Sequence, residues 1–236
     1  MITSQRTLDK VTRMVPTYES LMFAPIRTIP QERLDTKEHL YAVPDDSQPW
    51  APAEPGAAWG EAWSNTWFRG TVTLNGEEAE KNLYIRSGLG GRETLFYVDG
   101  QERGIFSQSL ETGARGNHHT LLFHHAGQPA GTHQITFECY AGHPCIGTMP
   151  MDPREKNADS PSNFSFRVGP VTLMERRDDV KDFVFDLQTL TQMAQVLPEK
   201  STRRGSIVRC LAEVFAAVFQ CPEEHPEEVW REALAK

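Results

Sequence analysis

From Thr66 the chain alternates with a period of two. Phe68, Gly70, Val72 and Leu74 fall on one side with Thr66, while Trp67, Arg69, Thr71 and Thr73 fall on the other. Successive side chains of a strand point to opposite faces, so this pattern predicts a strand over residues 66–74. Asn75-Gly76 then supplies a turn signal. Further short runs follow at 82–86, 94–98, 101–106, 118–124, 133–140 and 164–174. Asp99-Gly100 stands as a hairpin turn between the second and third of them, and Gly131-Thr132 leads into the run at 133–140. Many short strands, turns between them and no intervening helix predict an antiparallel β-sandwich or jelly roll. No internal repeat of the solenoid kind is present.

Both ends read differently. Ser4 is a candidate N-cap, and Leu8, Val11 and Val15 follow at helical spacing, with Pro16 predicted to end the run. Residues 48–60 are rich in Pro, Ala and Gly and predict an irregular connection. Beyond Asp178 the period returns to helical. Phe183, Phe185, Leu187 and Leu190 lead into a helix that stops before Pro198. A second starts after Ser201 with Ile207, Leu211, Val214, Phe215 and Val218 on one stripe, and a third begins near Pro226 with Val229, Trp230 and Leu234. The last stripe has little sequence left to pack on, which predicts a further domain after Lys236. The expected division is a sandwich domain over residues 1–178 and a helical segment over 179–236.

Composition narrows the function classes. Of 236 residues, 39% are hydrophobic and 24% charged, which suits a globular core rather than disorder. Acidic residues outnumber basic ones 32 to 24, giving a net charge of -8 and arguing against nucleic acid and anionic membrane surfaces. No secretory leader is recognisable in the first residues, and no run approaches the roughly 20 apolar residues of a membrane span, so a cytoplasmic location is expected. Cys139, Cys145, Cys210 and Cys221 form no C-x-x-C pair and read as reduced thiols.

Candidate chemistry is sparse. His118-His119 and His124-His125 look metal-rich, but neighbours on a strand face opposite ways, and six residues separate His118 from His124 by roughly 20 Å. Polar histidines on a strand and its ends are the better reading, since a zinc ligand sits about 2.0–2.1 Å from its metal. His143 lies on a strand exit, where a loop histidine can be functional. Gly88-Leu89-Gly90-Gly91 precedes no helix N-terminus and reads as a flexible strand connection rather than a phosphate loop. The most informative stretch holds Trp59, Trp63 and Trp67 in nine residues. Such indoles could stack on a pyranose, anchor a sandwich edge or contact another domain, and packing carries most of the weight.

That stretch, Trp59-Gly60-Glu61-Ala62-Trp63-Ser64-Asn65-Thr66-Trp67-Phe68-Arg69, resembles the W-G-x-x-W-S-T-T-W-F-R signature near the start of family 38 glycoside hydrolases, the zinc-dependent α-mannosidases. Tyr97-Val98-Asp99-Gly100 is similar to that family's V-Y-V-D-G hairpin. Glu138-Cys139-Tyr140-Ala141-Gly142-His143 is similar to its E-A-Y-A-G-H stretch, and Asp186, Leu187, Leu190, Leu197 and Pro198 resemble its D-L-x-x-L…L-P helix. These matches keep their order from Trp50 to about Leu211. Ala62 and Asn65 depart from the frequent Pro and Thr of the signature.

The resemblance implies an N-terminal, galactose-binding-like sandwich that precedes a catalytic barrel in the cytosolic bacterial and fungal-vacuolar type of enzyme. It implies zinc held in that barrel by a G-H-x-H-x-D-x-x-W motif. No H-x-H-x-D occurs in this chain, so neither catalytic nor metal residues carry over and no cofactor is expected here. Trp59, Glu61, Trp63, Trp67 and His143 stand as candidate contacts to sugar or to another domain. The expected partners are a barrel of the same polypeptide, a mannose-containing oligosaccharide and a second copy of the chain. A free-standing carbohydrate-binding module, with Trp63 and Trp67 stacking on sugar, is the rival reading. A pure interaction protein, with an apolar patch on the C-terminal helices, is a third.

Overall fold

A computed structural model describes residues 4–107, 119–142 and 166–218. The chain forms two compact units, Pro25–Glu175 and the pairing of Met1–Ala24 with Arg176–Lys236.

In the second of these, α1 (Ser4–Ser20), α3 (Asp178–Val196) and α4 (Thr202–Val218) share one core. Leu8, Val11 and Tyr18 of α1 pack with Phe183, Val184 and Leu187 of α3 and with Leu211, Val214 and Val218 of α4. Pro16 does not end α1 as the sequence predicts. A proline removes one backbone donor and crowds the preceding turn, but Val15 and Tyr18 are buried on either side of it and hold the last turn in place. The Tyr18 hydroxyl also donates to the Val218 carbonyl at 3.0 Å. Arg204 is buried with its charge spread over the Ala194 carbonyl and the Ser4 hydroxyl. The third predicted helix, near Pro226, lies outside the described residues.

The β-rich unit is an antiparallel sandwich. Its strands are β1 (Phe23–Ile29), β2 (Glu32–Asp35), β3 (Ala51–Pro52), β4 (Ala58–Trp59), β5 (Asn65–Thr73), β6 (Leu83–Ser87), β7 (Glu93–Val98), β8 (Gln101–Ser107), β9 (Thr120–His124), β10 (Thr132–Tyr140), β11 (Phe166–Arg167) and β12 (Val171–Arg176), with a short helix α2 (Gly76–Ala79) after β5. One sheet runs β1-β12-β6-β9, the other β3-β2-β5-β10-β7-β8, and β11 pairs with β4. The inner faces meet in a single core of Phe68 and Val72, Phe96, Ile135 and Phe137 from the larger sheet against Leu83, Ile85 and Leu173 from the smaller. The predicted sandwich is therefore the observed fold.

Local chemistry explains the details. Asp99 (φ 51°) and Gly100 (φ 77°) both take positive φ, the turn whose twist matches a tight hairpin, and so join β7 to β8. Asn75-Gly76 opens α2 instead of making a hairpin turn. The Asn75 side chain accepts from the Glu78 amide while the Glu78 side chain accepts from the Asn75 amide, a reciprocal cap. The predicted strand at 164–174 divides at Val168-Gly169-Pro170 into β11 and β12. The Pro/Ala/Gly-rich connection at 48–60 carries the two short strands β3 and β4. The loop 88–91 is a packed connection rather than a flexible one. Leu89 is fully buried, and a Cβ on Gly90 would stand 3.0 Å from the Phe166 ring at a φ of +80°.

Candidate functional site

The tryptophan-rich segment enters the sandwich through a short turn and then becomes β5. Ser64 closes the turn: its hydroxyl donates to the Glu61 carbonyl at 2.9 Å and accepts from the Glu61 amide at 2.7 Å. The Trp63 amide donates to the Gly142 carbonyl at 2.7 Å, with Trp63 at φ 65°. The turn is thereby fixed to the residues following β10.

The three indoles have different environments. Trp59 is 2% exposed, donates from Nε1 to the Leu89 carbonyl at 2.8 Å, and packs on Phe68 and Phe166 at ring separations of 5.5 and 5.1 Å. Trp67 is 0% exposed and lies on the opposite face of the sheet with Leu34 and Tyr97. Trp63 is 52% exposed. A buried ring has no face to offer a sugar, so the stacking role read for Trp67 is corrected, and Trp59 is likewise a core anchor. Of the three indoles, Trp63 alone presents surface. Glu61 is exposed, with an ion-pair contact to Lys37 at 3.9 Å. His143 lies outside the described residues, as do His118, Cys145 and Cys221.

Trp59 and Glu61 are brought together at a cavity of about 240 Å³, with Arg33, Asp35, Asn65 and Thr66 around it. Three of its polar groups, Arg33, Asp35 and Thr66, are engaged with one another or with the backbone. Arg33 meets Asp35 at 2.6 Å and donates to the Ala58 carbonyl, and the Thr66 hydroxyl donates to the other Asp35 oxygen at 2.9 Å.

Asn65 also lines a second cavity, of about 280 Å³, on the outer face of the larger sheet. Glu93 and Leu95 of β7, Ile105 of β8, and Glu138 and Tyr140 of β10 form its walls together with His39. The register explains the grouping. Tyr140 stands opposite Asn65 and Glu93, Glu138 opposite Trp67 and Leu95, and Leu95 opposite Ile105, so the period of two delivers all of them to one face. The Glu138 side chain is 3% exposed. One oxygen lies 2.7 Å from His39 Nδ1, and the other is buried without a hydrogen-bond partner. Burial, then the Glu138 charge, pushes the Tyr97 phenol up from its ordinary value, and burial, then Glu93, does the same to Tyr140.

Sequence reasoning passed over Glu138 and His39 as site residues. For the first, the period of two sets Glu138 on the face away from Ile135, Phe137 and Cys139, where an acid is ordinary, so no local signal marks it. His39 lies in a segment without periodicity, and no local pattern places it over β10.

Two further histidines, His124 and His133, lie on strands. His124 is buried with a ring nitrogen 3.1 Å from the Ala79 carbonyl, and His133 Nδ1 pairs with Asp99 at 2.7 Å. Among the described residues no group of three His, Cys, Asp or Glu side chains comes together to hold a metal ion, and no helix is long and apolar enough to cross a membrane.

No family model matches the sequence, and no curated protein matches it. Among solved structures the chain is similar to a β-glucuronidase from an uncultured Clostridium species (11% identity, TM-score 0.44), over 65% of this chain and 29% of that one. It is similar to the β-glucuronidase of Faecalibacterium prausnitzii (14% identity, TM-score 0.39), over 65% and 31%, and to that of Ruminococcus gnavus (13% identity, TM-score 0.37), over 66% and 29%. The chain thus spans less than a third of the length of these proteins, which are β-glucuronidases and not α-mannosidases.

Proposed function

We propose that the chain is a non-catalytic accessory sandwich of a glycoside hydrolase of the α-mannosidase type. In this reading it supports a catalytic barrel of the same cytoplasmic polypeptide. The observation that carries it is the burial of Trp59 and Trp67. The segment with the family-like signature is built as a core anchor and a central strand, which is packing work rather than sugar capture. In this reading the barrel would hold the zinc and the reacting carboxyl groups. The purified chain is expected to leave an aryl α-mannoside intact with and without added zinc, and turnover would overturn the proposal. Reading the coding sequence downstream of Lys236 tests the other half. A G-H-x-H-x-D motif in frame is expected there, and a continuation without one would remove the mannosidase assignment.

A second reading, sugar binding at the turn, has one observation in its favour: the half-exposed Trp63, fixed by its bond to Gly142. Trp63→Ala should then abolish any fluorescence quenching by mannose or an oligomannoside. Quenching that survives the substitution removes this reading.

A further inference from the structure

We draw no further inference here: the strongest candidate, the exposed apolar stripe of Phe185, Met193 and Val196 along α3, carries none because nothing in the structure shows what covers it.

Discussion

Both faces of the larger sheet bury side chains, yet they are built on different terms. The inner face is hydrocarbon: Phe68, Phe96, Ile135 and Phe137 meet the smaller sheet, with Phe96 and Phe137 stacked at 5.2 Å. The outer face is covered by the segment around Leu40, Val43 and Trp50 and mixes apolar side chains with Glu138, His39 and Tyr97. Arg69 lies 4.3 Å over the Trp50 ring while pairing with Glu32 and Asp46. The Trp67 indole nitrogen and one Glu138 oxygen, on residues directly opposite each other across β5 and β10, are both buried without a hydrogen-bond partner. Burial alone therefore does not mark the face that stabilises. The inner face is hydrocarbon at its centre and leaves one buried polar atom, His133 Nε2, unpaired near its end; the outer face leaves Trp67 and Glu138 unpaired at its centre.

That contrast can be broken by experiment. Phe137→Ala, in the centre of the inner face, should cost about 3–5 kcal/mol in urea denaturation, as large core truncations do. Leu34→Ala, under the outer cover, should cost about 2 kcal/mol, and an equal loss at both positions would erase the energetic distinction. Alkaline pH separates the faces in a third way. Burial pushes the Cys139 thiol up from 9.0 to about 12, so its contribution is complete below pH 9 and is lost as pH rises towards 12. Tyr97, raised from 10.0, starts to contribute to the same loss one unit later. Denaturation midpoints should thus fall above pH 9 by roughly 1 kcal/mol per unit, and Cys139→Ala should postpone the fall until the tyrosine window. A pH-independent midpoint between 9 and 10 would contradict this. The smallest effect is expected for Glu138→Gln. It should change stability by less than about 1 kcal/mol and not lower it, because it removes a buried acid with an unpaired oxygen while leaving an acceptor for His39.

The sandwich was legible where one rule governs one element. Period two found β5, β7, β8 and β10, and the Asp99-Gly100 turn joined two of them because both residues tolerate positive φ. Helical spacing found α3 and α4. Legibility failed where distant packing overrode local signals. The segment Phe23–Ile29 contains Pro25 and no clean alternation, and it becomes β1 by pairing with β12 far along the chain. Pro16 should have broken α1, but two helices from the other end of the chain pack on Val15 and Tyr18 beside it and hold the last turn. At the candidate site the strand residues were readable in principle, since Asn65, Trp67, Glu138 and Tyr140 share a parity. Their depth was not, because Trp67 and Glu138 are buried by a segment that has no periodicity of its own.

The position of β10 has a consequence for how the molecule is made. It lies between β5 and β7, both of which precede it in the chain, and its five residues Ile135–Cys139 are all buried. During synthesis from the N-terminus, β5 and the β7–β8 hairpin emerge with facing edges that have no strand to join them until Tyr140 has left the ribosome. Pairing at such separation is slow, and open edges invite association with other chains. The centre of the sheet is therefore the last part of it to be closed, and nascent chains shorter than about Tyr140 are the ones most in need of a chaperone.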